Sequence, residues 1–394
     1  MLAMNSKDAF SMLKIIFILL LSQNFLNVYS FKPEPRGGHM ATLSNDKLYF
    51  IGGSRPIPTT SSAWNITHQF GLSDEVFYLE LSSSFTVDLP PFTDLSATSR
   101  VPFGCEKGTM VLGVYGIRMY LVGGVQQDMT TFGYNTTNSS LWIYIVNSQK
   151  WDIPGPGTAG IPLPRRRSTA TTIDKNGVIY IFGGRVEVDT GSNVFTIFDD
   201  FFTFDTVLLR WTNMSSLPNL PYKRSHSTAT LMPDGKIIYI GGVTQSIPGE
   251  PATRISMNEI NIFDTIASVW SQKSALGIVD PRVGHTSVLA PDNRTIVILG
   301  GSQSYGLNQT TPYPVFVLLD ISSEPFQYSY PQPSGESPPP LAFHTATLYQ
   351  NYMIVGFGVA DLLADLPQYL PADLLAHLPA LNKSMNHRNN IQQL

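Results

Sequence analysis

One cysteine, Cys105, stands alone in 394 residues. It has no internal partner, so the chain is not a disulfide-stapled secreted fold, and its stability must come from packing. A buried structural thiol is the reading for Cys105. Charge is also sparse: 14% of residues are Asp, Glu, Lys or Arg, and the formal net charge is −4. That balance gives no electrostatic hold on nucleic acid. Long apolar runs are absent too. The longest, Ile15–Leu21, follows Lys14 and has seven residues, too few to cross a bilayer core of about 30 Å. Also missing are Cys-x-x-Cys, His-x-His, His-Glu-x-x-His, a Gly-x-Ser-x-Gly elbow and a phosphate-cradling glycine loop. No cofactor is therefore assigned. What is plentiful is turn chemistry and aromatics: 31 Gly, 29 Pro and 11% Phe, Trp and Tyr. This composition fits an all-β chain with many turns.

Lys14, the short apolar run and small Ser30 have the layout of a signal peptide over 1–30. Its removal leaves a chain with no membrane span, at a formal charge of −5. Export agrees with seven N-x-S/T sequons, at Asn65, Asn135, Asn138, Asn213, Asn293, Asn308 and Asn382. A glycan needs a solvated site, and all seven are expected in loops or in the tail.

A repeat organises the rest. Alternating apolar strands end in Gly-Gly at Gly52-Gly53, Gly123-Gly124, Gly183-Gly184, Gly241-Gly242 and Gly300-Gly301, at intervals of 71, 60, 58 and 59 residues. Before each, and before Gly356-Phe357-Gly358 in a sixth unit, lies a short strand of small residues. Four of these strands contain a histidine, at His39, His226, His285 and His344, and Arg167 lies 59 residues before His226. Trp151, Trp211 and Trp270 lie 27, 27 and 28 residues past the second glycine of their units. Four short strands per unit at this period predict a β-propeller, in which each sheet buries its faces against its neighbours. The glycine pair allows close backbone approach, and the Trp fills the space between blades. The histidines are read as repeat-defining structural residues, not metal ligands.

These motifs resemble the kelch repeat over about 36–358. The resemblance implies a kelch-type β-propeller of four-stranded blades, nominally six, with the last incomplete. His344 and Tyr352–Val355 open a sixth unit, but Gly356-Phe357-Gly358 replaces the glycine pair and no later strand is legible. The expected organisation is a signal peptide over 1–30, the propeller over 31–358 and an atypical Leu/Ala/Pro-rich tail over 359–394. Closure of the ring is left open.

Related secreted kelch propellers are often called galactose-oxidase-like for their fold. That resemblance implies a test for an enzyme: a copper site with a Cys cross-linked to a Tyr. Cys105, in Phe103-Gly104-Cys105, has a similar place. The matching opening of the next blade, Arg165-Arg166-Arg167-Ser168, has no Tyr, and no catalytic or metal residue is carried over. The long loops 54–75, 125–140, 185–196, 243–257 and 302–313 fall on one face, with the inter-blade connections. This elaborated face is the candidate binding surface. Arg165, Arg166, Arg167 and Arg224 are expected on it, able to hold an acidic or carboxylate group. The functional expectation is a secreted or cell-surface, glycosylated, monomeric module binding a protein or glycan. The alternatives are a copper-radical carbohydrate oxidase and the ectodomain of a membrane-anchored kelch protein.

Overall fold

The computed structural model describes residues 31–57, 60, 70–86, 88–134, 139–304, 309–331, 339–360 and 374–377. The signal segment 1–30 and Asn65, Asn135, Asn138, Asn308 and Asn382 lie outside the described residues. Five antiparallel units of four strands follow the glycine repeat, the fourth and fifth joined edge to edge by the parallel pairs Ala275↔Phe326 and Leu276↔Gln327. Blade one is Met40–Ser44, Lys47–Ile51, Val76–Glu80 and Phe92–Asp94. Blade two is Thr109–Leu112, Arg118–Val122, Leu141–Ile145 and Lys150–Asp152. Blades three, four and five open at Ala170–Ile173, Thr228–Leu231 and Thr286–Leu289. In each, strands pair antiparallel in chain order, a short turn joining the first strand to the second and the long loop joining the second to the third.

The sixth sheet corrects the sequence reading. Thr345–Tyr349 pairs with Tyr352–Gly356, and Leu374–His377 adds a third strand in the register Tyr352↔His377 to Val355↔Leu374. The boundary expected at 358 therefore falls inside a blade. Its third strand escaped notice because Leu374-Leu375-Ala376-His377 carries no Gly-Gly spacing and lies in a Leu/Ala/Pro-rich context.

The ring also closes. The first strands of blades one to six neighbour each other in turn, and that of blade six neighbours that of blade one. A closed circle of six backbone hydrogen bonds and a second, inner series of five hold this arrangement. In the outer one, the second glycine of each blade donates to the residue that opens the next blade. Gly53 N–H reaches Cys105 O at 2.7 Å, and Gly124, Gly184 and Gly301 reach Arg166, Arg224 and Leu341 at 2.8 Å. Gly242 reaches Arg282 at 3.1 Å, and Gly358 reaches Arg36 at 2.9 Å. Gly358 thus acts as a second glycine. Phe357, at φ +51°, takes the place of the first.

The repeat's first glycine is explained by the same contact. At Gly183, φ is +66° and an added Cβ would stand 2.2 Å from Arg224 O. Both neighbouring groups are backbone, so nothing can move aside without parting two blades. Gly183→Ala is expected to cost about 2–4 kcal/mol, from left-handed strain plus overpacking. Gly155→Ala, where a Cβ would meet nothing within 4 Å, should stay within about 0.5 kcal/mol of wild type. Urea unfolding of both variants checks the pair; equal costs would remove the latch.

Apolar cores lie between blades, as ring burial requires. Blades two and three share Val111, Val122, Ile179, Phe204 and Trp211. Blades three and four share Phe182, Phe201, Tyr239, Phe263 and Trp270. The Trp270 ring lies 5.1 Å from both Phe182 and Phe201 of the preceding blade. Trp151 donates its indole N–H to Ser99 O at 2.9 Å. The closing seam is filled by Phe50, Phe77, Phe92, Ile354 and Phe357. Cys105 is fully enclosed in the seam of blades one and two, and burial pushes its thiol pKa up. Among the described residues no helix is long and apolar enough to cross a membrane.

Candidate binding site on the long-loop face

The inner series of backbone bonds marks the axis. Lys107 N–H donates to Gly38 O, Ser168 to Lys107, His226 to Ser168, Phe343 to Gly284 and Gly38 to Phe343, at 2.7–3.0 Å. All of these residues have positive φ, between +54° and +67°, a conformation that lets each N–H reach back across the ring. The axis is filled from this series. Lys107 Nζ lies 5.6 Å over the Phe343 ring, and the His226 ring is 5.9 Å from it. At Gly284 a Cβ would strike the Phe343 ring at 2.8 Å. A glycine here leaves room for that plug.

This series corrects the histidine register. His226 sits in the series, level with Gly38, Ser168 and Gly284, while His39, His285 and His344 come one residue later. Arg167 is level with Ser225 and Val283, each bridged to the start of its own long loop. Two of these later histidines, His39 and His344, pin neighbouring blades. His39 Nε2 bonds Thr345 Oγ1 at 2.8 Å, and His344 Nε2 bonds Thr286 Oγ1 at 2.9 Å.

The four expected arginines divide. Arg166 and Arg224 are 2% and 0% exposed, inside the blades and not on the face. With Arg36 and Arg282 they form a set that the sequence reading missed. Its signal was present, since 166, 224 and 282 are spaced 58 and 58. Each guanidinium docks inside its own blade. Arg36 Nη1 donates to Gly52 O at 3.0 Å and Nη2 to Glu75 Oε2 at 2.7 Å. Arg224 Nη2 meets Glu259 at 3.0 Å, Arg166 pairs with Asp200, and Arg282 donates to Gly300 O and Pro314 O. A buried arginine survives only with such partners; of the four, Arg224 alone keeps two shielded nitrogens, Nε and Nη1, without one.

Arg167 lies beside the root of a long loop, 6% exposed. It pairs antiparallel with Arg185, each N–H donating to the other's carbonyl at 3.0 Å. Two cations placed opposite each other repel, and the next turn supplies the balance. Glu187 lies two residues past Arg185, on the same side of the strand, and meets both Arg167 and Arg185. A short turn at Val188–Thr190, tied by Glu187 N–H to Thr190 Oγ1 at 2.8 Å, swings Asp189 to within 3.1 Å of Arg167. Beside them Lys107 pairs with Glu106 at 3.0 Å. Burial lowers the Lys107 pKa and raises that of Asp189; Arg167 and Arg185 press Lys107 the same way. Arg165 completes the group, 8% exposed. The cluster can hold a charged partner group near the axis. Among the described residues no group of three or more His, Cys, Asp or Glu is placed to hold a metal ion.

A family model described as the Attractin/LZTR1 beta-propeller matches residues 119–361. Among curated proteins, the chain is 24% identical to alpha-scruin of Limulus polyphemus over 72% of its own length and 26% of that protein. It is 23% identical to human Kelch domain-containing protein 1, over 69% of this chain and 63% of the relative. The chain thus spans about a quarter to under two thirds of these relatives. The solved structure of YjhT superposes with a TM-score of 0.58 at 13% identity, covering 86% of this chain and 98% of that one, a likeness of fold.

Proposed function

From the premise that this chain belongs to the Attractin/LZTR1 β-propeller family, with kelch-domain relatives, we propose that it is a protein-binding module working through its long-loop face. The observation that carries the reading is the asymmetry of the ring. Every Gly-Gly pair opens into a loop on one face, where charged side chains gather around a plugged axis. Exposed apolar residues rim the same loops, among them Val188 at 69%, Ile247 at 57% and Tyr313 at 70%. An apolar rim beside a charged centre is a surface that can desolvate against another protein. The plug of Phe343, Lys107 and His226 obstructs passage along the axis, so a partner docks across the ring.

The reading extends to a secreted glycoprotein, supported by Asn213 at the end of a strand and Asn293 in a turn, both exposed. A photo-crosslinking residue placed at Ile247 or Tyr313, against one at Leu208 or Ile266 on the opposite face, tests the whole. The protein is recovered from culture medium with and without peptide-N-glycosidase. Adducts should form from the long-loop positions, with a mass drop on deglycosylation. Adducts only from Leu208 or Ile266 would overturn the face, and an unchanged mass would overturn the glycans.

A further inference from the structure

Among the described residues, charges near the axis balance with one exception. Lys107, Arg167 and Arg185 stand against Glu106, Glu187 and Asp189, in the pairs described above. Three cations meet three carboxylates. Arg165 is the fourth cation, and all three of its nitrogens are shielded from solvent without a hydrogen-bond partner. Its nearest electrostatic support is Asp189, which Arg167 already engages. A covered guanidinium with five unused N–H groups is costly; Arg224 leaves two nitrogens unpaired but still meets Glu259, so among the described buried arginines Arg165 alone lacks every hydrogen-bond partner. Arg36, Arg166 and Arg282 in the same protein show how one is normally satisfied.

We propose that Arg165 is the receptor for a single carboxylate, carried by an Asp or Glu side chain of the protein that docks on the long-loop face. The inference rests on that docking reading and names its chemistry. The charge count selects the ligand. One excess positive charge is neutralised by one negative charge. A guanidinium fork also fits a planar carboxylate through two parallel hydrogen bonds. Arg167 and Arg185 keep their own acids and set the potential around the site. The ligand displaces whatever now covers the Arg165 nitrogens.

The test uses the full chain, a hexaglutamate peptide and a hexaglutamine control. Wild type should bind hexaglutamate and not hexaglutamine in a calorimetric titration. Arg165→Met should weaken hexaglutamate binding about 10–100-fold, the worth of a charge-assisted hydrogen bond. Arg165→Lys, which keeps the charge and loses the fork, should fall between. Without peptide, Arg165→Met should melt at or above the wild-type temperature, because an unpaired buried charge has been removed. Equal binding by wild type and Arg165→Met, or a clear drop in melting temperature for Arg165→Met alone, would make Arg165 structural and sink the proposal. Cross-links from Ile247 or Tyr313 together with no hexaglutamate binding would sink this inference and leave the docking face standing.

Discussion

Replacing Arg36 by methionine is expected to cost about 3–5 kcal/mol, the range for breaking a buried ion pair by removing one partner. Arg36 is 0% exposed and donates to Gly52 O, Glu34 O and Glu75. Its guanidinium also lies 4.7 Å over the Phe77 ring and 5.6 Å from that of Phe357. Phe357 belongs to blade six, so the loss falls on the closing seam. Methionine fills similar volume but leaves the Gly52 carbonyl unmatched and Glu75 with Arg55 and Ser73 alone. Arg36→Met/Glu75→Gln should recover part of the cost, since it removes the poorly compensated carboxylate. Denaturant midpoints at neutral pH check both variants. A cost below about 1 kcal/mol for Arg36→Met would mean that the pair is as weak as a surface one.

Acid should unfold this protein through its histidines. Burial holds His285 down to about 3 and His344 to about 4, from an ordinary 6.5. The Arg282 guanidinium and His344 add to the effect on His285. Burial also holds His39 and His226 well below 6.5, helped at His39 by Arg36 and at His226 by Arg185, Arg167 and Lys107. The folded pKa values are depressed, so below pH 6.5 the unfolded chain binds more protons. Stability is therefore full above about pH 6.5 and falls as pH drops toward the folded values. Each neutral histidine contributes about 1.4 kcal/mol per pH unit in that window. His285 and His344 alone amount to roughly 5 kcal/mol by pH 4.5. Glu75 acts in the same direction. Burial raises its pKa, but the Arg36 charge and hydrogen bond outweigh that and hold it below 4.5, so its share is lost as pH falls further. Urea midpoints from pH 7 to 4.5 should slide steeply, and His344→Gln should flatten the slope by about one proton. A flat profile would mean that these rings are protonated in the native state.

The legible part of this fold was the part written at fixed spacing. The glycine pairs, the Trp positions and the small-residue strands recur because each blade meets the same neighbour, so the same contact is imposed at each step. The buried arginines were equally periodic, yet they read as surface charge. Arginine is usually exposed, and nothing local reveals that Asp200, Glu259 or Glu75 lies at the far end of the guanidinium. The histidine register slipped by one for a related reason. Ser225-His226-Ser227 imitates Gly38-His39 in composition, while the backbone bonds place His226 in the axial series.

Two decisions belonged to tertiary structure. The third strand of blade six has no turn or glycine signature and is defined by its pairing with Tyr352–Val355. The status of Arg165 depends on which carboxylates its neighbours take first, a competition among side chains of three loops and blades. Composition and periodicity determined that this chain forms repeated sheets standing in a ring, because burial of sheet faces is a nearest-neighbour requirement. Only the folded molecule decided closure and the odd charge, because both depend on groups distant in sequence, Gly358 meeting Arg36 and Arg165 finding its neighbouring acids already paired.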